Sequence, residues 1–373
     1  QLEYVPASLL VVEHVRLRYA CPDCEKQRQD ATPDAGPTTP APAAAPEPAT
    51  AGPTPPAAPG TVALVPTFVT APKPAQPIPG GLPGPGLLAH VIVSKYGDHL
   101  PLYRLEQIFG RNGVPLARQT LCGWLPAAAA LLRPLYELMA ARIWQGWVVG
   151  SDDTPVEVLE PGRGQTRTGR VWVYVGDVFA PYLVYDYTPG RTQEGPQRFV
   201  RDYLGYFQAD AYAGYDALYA TGRLVEVGCW AHARRKFYDA RATDPERATY
   251  VLGVIRRLYA VERQADEQVE QQRLGREAGW WLRLRLRQEQ SVPLLSGLGP
   301  WLEKQRAAVL PKSPMGEAIG YACNQWPALW RYTSQGYLPI DNNGCENAIR
   351  PFVVGRKAWL FSDTPAGANA SAG

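Results

Sequence analysis

The chain has 373 residues, of which 46% are hydrophobic and 20% are charged, with a formal net charge of +3. This length exceeds one ordinary hydrophobic core and allows two or three domains. No apolar run approaches the roughly 20 residues of a membrane span, and no signal segment opens the sequence, so we expect a cytoplasmic protein without membrane contact. The small positive charge permits nucleic-acid binding without requiring it.

Residues 1–26 contain a strand-like run followed by Cys21 and Cys24. A Cys-x-x-Cys knuckle is half of a four-ligand zinc site, so we interpret this segment as a partial zinc-binding knuckle. The sequence begins at Gln1 rather than at methionine, and we expect the second ligand pair upstream in a longer protein. An incidental or redox role for the two cysteines is the alternative. His14 is expected to be a surface strand residue, and the scattered remaining cysteines argue against a disulfide framework.

Residues 27–85 are so rich in Pro, Ala, Thr and Gly that they predict an extended linker. Residues 86–144 follow with apolar side chains at helical spacing. A break at residues 111–113 precedes a helix that carries Arg118 and Gln119, an outline typical of a helix-turn-helix. These two side chains are then candidates for base contacts in DNA. A plain helical hairpin with a solvated face is the alternative.

After residue 144 the hydrophobic period changes to two. Residues 145–244 predict three antiparallel strands, followed by helices that alternate with two more strands, in the order β-β-β-α-β-α-β-α. Residues 245–335 return to long helical patterns, and residues 336–373 complete the chain. The sequence therefore predicts an α/β protein with a ribonuclease-H-like mixed sheet. The helical block interrupts that core as an insertion.

Three carboxylates fall at positions where this order would bring them together. Asp152 lies in the first strand and Asp210 ends the fourth, and these strands are expected to be neighbours. Glu346 is the candidate third acid, from a distant helix packed against the sheet. Hard divalent ions require such oxygen ligands. The alternatives are that Asp153 replaces Asp152, that Asp210 only caps a helix, and that Glu346 completes a capping box with Asn343.

Four motifs, SDDTPVEVL, QADAYAGYDALY, VGCWAHARRKF and IDNNGCENAIRP followed by GRKAWLF, closely resemble those of insertion-sequence-66 family transposases. The resemblance runs nearly end to end, from the zinc knuckle to these motifs. It implies a DNA transposase that binds the ends of its element and performs metal-dependent strand cleavage and strand transfer. It places the family's catalytic acids at Asp152, Asp210 and Glu346, which would hold two Mg²⁺ or Mn²⁺ ions.

Two departures from the family pattern are Asn347, where an arginine is usual, and Asp153, where a glutamate is usual. Neither removes a metal ligand. The family's relatives continue beyond the last motif, so we expect both ends of this chain to be truncated. Transposition also implies a homo-oligomer in a synaptic complex, with the element's small accessory proteins as further partners.

Basic side chains near the acids form the second set of predicted DNA contacts. The members of this set are His232, Arg234, Arg235, Lys236, Arg350, Arg356 and Lys357. Pairing of Arg350 with Glu346 on one helical face is the alternative for that arginine. Cys229 and His232 resemble a metal pair, but with no other Cys or His close by in sequence we interpret them as structural.

The insertion interleaves Trp280 and Trp281 with arginines. These rings are candidates for stacking on DNA, and core packing beneath a charged helix face is the alternative. Two other functions compete with transposition. One is a nuclease that hydrolyses DNA without strand transfer, and the other is a non-catalytic helix-turn-helix protein that only binds DNA, against which the intact acid triad argues.

Overall fold

A computed structural model describes residues 9–23, 26, 68–160, 162, 164–200 and 202–373. The chain divides into two compact units, Gln1–Pro79 and Gly80–Gly373. The second unit is a mixed α/β structure with a five-stranded sheet and many helices.

The first unit contains a two-stranded sheet. Strand β1 (Arg18–Ala20) pairs antiparallel with β2 (Phe68–Thr70). The β2 sequence, Phe-Val-Thr, consists of aromatic and β-branched residues that favour extended backbone. The segment 27–85 was predicted from its composition as a linker, and β2 shows that it also contributes a strand. Residues 27–67 of that segment lie outside the part that the structure describes.

The sheet of the second unit has the strand order β5-β4-β3-β6-β7. Its strands are β3 (Val148–Leu159), β4 (Thr166–Val175), β5 (Leu183–Thr188), β6 (Gly205–Gln208) and β7 (Leu224–Val227). Strands β3, β4 and β5 form the antiparallel meander that the period-two runs predict. Strand β6 pairs parallel with β3, and β7 pairs parallel with β6.

Both faces of this sheet are covered, because successive strand residues point to opposite sides. Val149 joins a core cluster with Trp172 and Tyr174, whereas Val148 joins a separate cluster with the helices of the insertion. Burial on both sides agrees with the continuous apolar run Val171–Val175 at the end of β4.

Helices α1 (Pro85–Ile92), α2 (Leu102–Arg111) and α3 (Arg118–Ile143) precede the sheet. The turn after α2 uses Gly113 at φ +79°, a conformation that favours glycine. The end of α3 packs into the core of the sheet. The segment 86–144 is therefore helical, as its pattern predicts, but it shares a core with the strands and belongs to the same compact unit.

The helices between the strands are α4 (Glu194–Val200), α5 (Asp216–Tyr219) and α6 (Trp230–Ala240). The insertion contributes α7 (Pro245–Gln271), α8 (Arg276–Leu286), α9 (Val292–Arg306), α10 (Pro314–Asn324) and α11 (Trp326–Trp330). One apolar cluster joins α6, α7, α9 and α10 to Val148 and Val227 of the sheet. The insertion is helical as predicted, and it packs as part of the sheet's own core.

A buried arginine fixes the segment by which the chain leaves the insertion. Arg287 is 1% exposed and pairs with Glu262 of α7 through two donors, at 2.7 and 2.8 Å. Its guanidinium also donates to the carbonyl oxygens of Tyr332, Gln335 and Leu338. This use of nearly every guanidinium donor is what makes burial of the charge tolerable.

Helix α12 (Asn343–Trp359) then packs against β3 and β4, and α13 (Pro365–Ala372) packs against α3 and β5. Proline is the first residue of α13, where its missing N–H costs nothing. Among the helices of the described ranges, none combines the length and the apolar character that crossing a membrane requires.

Candidate functional site

Two of the predicted acids lie at the same edge of the sheet. Strands β3 and β6 are parallel neighbours, with Gly150 opposite Gln208. Asp152 follows Gly150 by two residues within β3, and Asp210 follows Gln208 by two residues just beyond the end of β6. The matched register therefore brings the two carboxylates together. Asp210 does not cap the short helix that follows, whose N-cap residue is Tyr212.

Glu346 is brought to this edge by the first turn of α12. The close approach of α12 to β3 depends on Gly150, because a Cβ at that position would collide with the Sγ atom of Cys345. Asn342, the N-cap residue, donates from its side-chain nitrogen to Ser151 O at 2.9 Å. No side-chain cap hydrogen bond forms at the start of α12, so the capping-box alternative for Glu346 is not observed.

The three carboxylates influence one another. The pKa of Asp152 is raised to about 7, mainly by burial, and the nearby charges of Asp210, Asp153 and Glu346 contribute to that rise. It accepts a hydrogen bond from its neighbour's backbone, Asp153 N to Asp152 Oδ1 at 2.8 Å. Burial without a cationic partner and repulsion between carboxylates both favour the protonated acid.

The hydrogen-bonding capacity of the Glu346 carboxylate is also incompletely used. Its Oε1 atom is buried and has no hydrogen-bond partner among the described residues. The nearest cationic groups come from α6, with His232 Nε2 at 3.8 Å from Oε1 and Arg235 Nη2 at 3.9 Å from Oε2. Glu346 is therefore in ionic contact with α6, and pairing with the exposed Arg350 is not observed.

The residues at this edge fit a divalent cation by their chemistry. Carboxylate oxygens are the ligands that Mg²⁺ and Mn²⁺ prefer, and a cation would relieve both the raised pKa of Asp152 and the unpartnered oxygen of Glu346. Within the described ranges, no three His, Cys, Asp or Glu side chains are arranged closely enough to surround one ion. The donor set is thus present, although its side chains do not converge on a single point.

Asp153 has quite different surroundings. Its side chain is 1% exposed and pairs with Arg170 at 3.0 Å and Arg191 at 2.7 Å. Burial raises the pKa of Asp153, and the two arginines oppose that rise. Arg191 also reaches Asp210 Oδ2 at 3.0 Å, so it links the two acids. Asp153 is already neutralised by protein groups, which favours Asp152 over Asp153 as the first member of the acid set.

The predicted basic residues of α6 separate into two groups. Arg234 and Arg235 line a groove of about 880 Å³ between α6 and α7. Lys236 instead lies over the ring of Tyr321, at 5.0 Å from its centroid. The same groove is lined by further exposed arginines that the sequence did not single out: Arg241, Arg256 and Arg263. Two of these belong to α7, and their position follows only from the packing of the insertion against α6.

Cys229 and His232 do not form a metal pair. Cys229 is buried at the start of α6, where its Sγ atom accepts a hydrogen bond from Asn342 N at 3.3 Å. This bond ties α6 to the N-terminus of α12. The structural interpretation of Cys229 agrees with this contact, and His232 faces Glu346 instead.

The basic residues of α12 also differ in their contacts. Arg356 donates to Thr154 Oγ1 at 2.7 Å and to the carbonyl oxygen of Pro155. Both bonds come from its Nη1 atom and link it to β3, on which α12 lies, and its predicted contact with DNA stays a prediction. Arg350 and Lys357 are exposed.

The predicted base-reading residues and zinc ligands lie elsewhere. Arg118 and Gln119 are exposed at the start of α3, where Arg118 N donates to Glu106 Oε1 at 2.9 Å. Cys21 is half-buried just after β1, and Cys24 lies outside the described residues. His14 is exposed, as predicted.

Comparison with known proteins identifies the family. Residues 80–370 match the model described as "Transposase IS66 family", and residues 1–25 match the zinc-finger binding domain of the same transposases. Among curated proteins, the chain is 34% identical over 313 residues to uncharacterized protein y4qI of Sinorhizobium fredii (strain NBRC 101917 / NGR234), covering 80% of this chain and 56% of that protein. It is 30% identical to uncharacterized protein y4hP of the same strain, covering 100% of this chain and 62% of that protein.

The chain thus spans somewhat more than half the length of these curated relatives. The family model covers most of the chain, including the strands and helices that carry Asp152, Asp210 and Glu346. On this match, the chain belongs to the IS66 family of transposases.

Proposed function

We propose that this chain is the catalytic part of a transposase that binds the ends of an insertion sequence, cleaves DNA and transfers the cut strand. One observation carries the proposal. Asp152 lies in β3 and Asp210 lies at the matched position just beyond the end of β6, the parallel neighbour of β3, and Glu346 lies on a helix packed over the same edge. That arrangement brings three acids that are far apart in sequence to one edge of the sheet.

We propose further that the sheet is a ribonuclease-H-like core. Its support is the order of three antiparallel strands followed by two parallel strands and intervening helices. In this proposal the acids of β3 and β6 and the glutamate of α12 hold the metal ions. Two divalent ions, when bound, would neutralise charge on the scissile phosphate and activate a water or a 3′-hydroxyl as nucleophile.

The chain's own residues have two roles around that reaction. Asp152, Asp210 and Glu346 supply carboxylate oxygens, and Arg235 and His232 place donors beside Glu346 where a phosphate oxygen would lie. The arginine groove continues from this point between α6 and α7. Its exposed guanidinium groups match the geometry of phosphates, which suits them to hold a DNA backbone leading to the acids.

The remaining parts of the proposal concern recognition and assembly. The zinc-finger match at residues 1–25 supports zinc binding by a knuckle that includes Cys21 and Cys24. The start of α3, with Arg118 and Gln119 exposed, is the proposed base-reading helix end. A homo-oligomeric synaptic complex, accessory proteins of the element and association with DNA in the cell belong to the same proposal.

The catalytic part is tested with purified chain and DNA that carries the element's ends. We expect cleavage with Mg²⁺ or Mn²⁺ that Glu346→Gln lowers at least about 100-fold, because the amide keeps the shape and loses the anionic ligand. Asp216→Asn is the matched control, since it changes an exposed carboxylate of α5 and should cleave normally. Equal cleavage by both variants would refute the acid assignment. Cleavage without joined products would instead support the nuclease.

The groove is tested by salt dependence of DNA binding. The double variant Arg256→Gln and Arg263→Gln should weaken binding to all DNA sequences and flatten the logarithmic dependence on salt, by about one unit for each lost phosphate contact. Lys236→Gln is the control, because that side chain lies over Tyr321. An unchanged slope in the double variant would remove the groove from the DNA path.

A further inference from the structure

We call Asp152, Asp210 and Glu346 together the acid cluster. An aromatic pocket lies beside the acid cluster and has no role in the site described above. It has a volume of about 480 Å³, which is in the size range of ligand pockets. Three of its rings pack around Trp147, with centroids 4.6 Å away for Phe179, 4.9 Å for Tyr337 and 5.8 Å for Trp280. Trp147 and Phe179 are exposed although they are large and apolar. We call this the aromatic pocket.

The pocket shares its wall with the acid cluster. Gly150 and Gln208, the paired residues of β3 and β6, both line it. Each precedes one of the two aspartates by two residues. On the other side, the lining includes Cys345, which precedes Glu346. A molecule seated in the pocket would therefore lie next to the place where the acids meet.

One residue of the lining also carries an unused hydrogen-bond acceptor. Asn342 lines the pocket and is 1% exposed, yet its Oδ1 atom has no hydrogen-bond partner among the described residues. Its nitrogen is engaged with Ser151 O at 2.9 Å, which fixes the amide and leaves the oxygen unpaired. A buried acceptor without a partner is costly, and an N–H or NH₂ donor from a ligand would satisfy it.

The charges at the rim suit an anionic ligand. Arg276 of α8 is exposed, with its guanidinium carbon 5.4 Å from the centroid of Phe179. The carboxylate of Asp177, also in the lining, accepts hydrogen bonds from four backbone N–H groups, those of Trp147, Val148, Phe179 and Ala180. Asp341, the other carboxylate of the lining, accepts hydrogen bonds from Tyr259 Oη at 2.6 Å and from Asn343 N at 3.1 Å. Both acidic groups are thus compensated within the protein, and the arginine remains available to a phosphate.

We propose that the aromatic pocket receives one unpaired base of the DNA strand whose phosphate lies at the acid cluster. Flat rings, a fixed amide oxygen and a rim arginine match the face, the amino edge and the phosphate of a nucleotide. Taking a base out of a duplex costs free energy, which stacking on aromatic side chains and the new hydrogen bond offset. This inference rests on the proposed function, because it assumes DNA at the acids.

The insertion supplies a matched pair of residues for the test. Trp280 belongs to the aromatic pocket, whereas its neighbour Trp281 is 71% exposed. The backbone of Trp280 packs directly on Gly336, where no Cβ would fit. Removing the Trp280 side chain therefore leaves the backbone contact between the insertion and the segment before α12 in place. Trp281→Ala removes an equally large ring from the same helix.

The first measurement compares binding to two DNAs in Ca²⁺, which keeps the DNA uncut: a paired duplex and the same duplex with one unpaired base. We expect wild-type chain and Trp281→Ala to prefer the unpaired base by about 5-fold to 150-fold, the range for stacking of one base. Trp280→Ala should lose this preference while still binding paired DNA and keeping its melting temperature. Equal loss on both DNAs, or a preference that survives in Trp280→Ala, would overturn the proposal.

The second measurement locates the base directly. A 5-iodouracil at the unpaired position should cross-link under long-wave ultraviolet light to a ring of the aromatic pocket, identified by mass spectrometry of the cross-linked peptide. Cross-links elsewhere would overturn the proposal. The absence of cross-links to the aromatic pocket in a longer form of the protein would also overturn it, because another segment of the protein would then occupy the pocket.

These outcomes separate the pocket from the proposed function. A base preference that depends on Trp280, in a chain whose DNA cleavage is insensitive to Glu346→Gln, would support the pocket and refute the catalytic assignment. Cleavage that requires Glu346, without any base preference, would do the reverse.

Discussion

Two adjacent carboxylates of β3 lie on opposite sides of the strand and have opposite electrostatic surroundings. On one side Asp152 has no cationic partner within ion-pair distance among the described residues, and burial, together with the charges of other acids, raises its pKa. On the other side the side chain of Asp153 is 1% exposed, but it is paired with Arg170 and Arg191. The comparison teaches that burial alone does not mark a functional acid. The charge that surrounds the acid decides whether it is already satisfied or still needs a cation.

The largest expected difference between the two sides concerns catalysis. We expect Asp152→Asn to lower metal-dependent DNA cleavage at least about 100-fold, because a metal ligand is lost. Asp153→Asn should lower it no more than about 10-fold, through the orientation of Arg191 and Asp210. Single-turnover cleavage at a temperature where both variants are folded measures this difference. The reverse order of effects would move the catalytic ligand to Asp153.

The next difference concerns stability in metal-free buffer. Asp153→Asn should lower the free energy of unfolding by about 2–4 kcal/mol, because two arginines lose a buried anionic partner. Asp152→Asn removes an uncompensated carboxylate and should not destabilise the chain at neutral pH. Urea unfolding with EDTA present checks both variants. If the two substitutions lower the free energy of unfolding equally, the ion pairs of Asp153 do not stabilise the fold more than the unpaired carboxylate of Asp152.

The smallest expected effect is a pH dependence that belongs to Asp152 alone. Its folded-state pKa of about 7 is above the value of about 3.9 expected in an unfolded chain, so the folded state binds the proton more tightly. The stability from this proton is fully present below about pH 4 and is lost as the pH rises through about 7. Because the carboxyl is partly exposed and screened, we expect the loss to be about 1–3 kcal/mol.

The control for this pH dependence is Asp152→Asn. Its free energy of unfolding in EDTA should fall less between pH 5 and pH 8 than that of the wild-type chain. These two pH values lie on either side of the pKa of Asp152. Added Mg²⁺ should restore stability at the higher pH in the wild-type chain and have less effect in the variant. Parallel pH curves for the two chains would show that Asp152 does not titrate in this window.

The sequence could predict that Asp152, Asp210 and Glu346 lie at the same edge of the sheet, because strand order and motif position determine it. The β-β-β-α-β order places β3 beside β6, and the motif around Glu346 begins a helix, both visible in the hydrophobic pattern. The helical character of the segment 245–335 was also visible in that pattern. These features depend on local periodicity, which a single sequence carries.

The sequence could not predict contacts that depend on how distant elements pack. Arg191 lies in a loop and showed no motif, yet it links Asp153 and Asp210. Arg256 and Arg263 belong to no motif, and their place in the groove follows only from the packing of α7 beside α6. For Trp280 the sequence left stacking and core packing both open, and only the fold places its ring among Trp147, Phe179 and Tyr337.

The buried Arg287 has a consequence for how the length of this chain can vary. It holds three carbonyl oxygens of the segment that leads to α12, so that segment has a fixed register with respect to α7 and α8. Extra residues in the turn between α7 and α8 would precede this anchor and would leave the position of Glu346 unchanged. A single residue added between Leu338 and Glu346 would follow the anchor, and it would shift the glutamate along its helix and away from the aspartates. Relatives are therefore free to differ in length before the anchor, whereas the eight-residue step from Leu338 to Glu346 must keep its length.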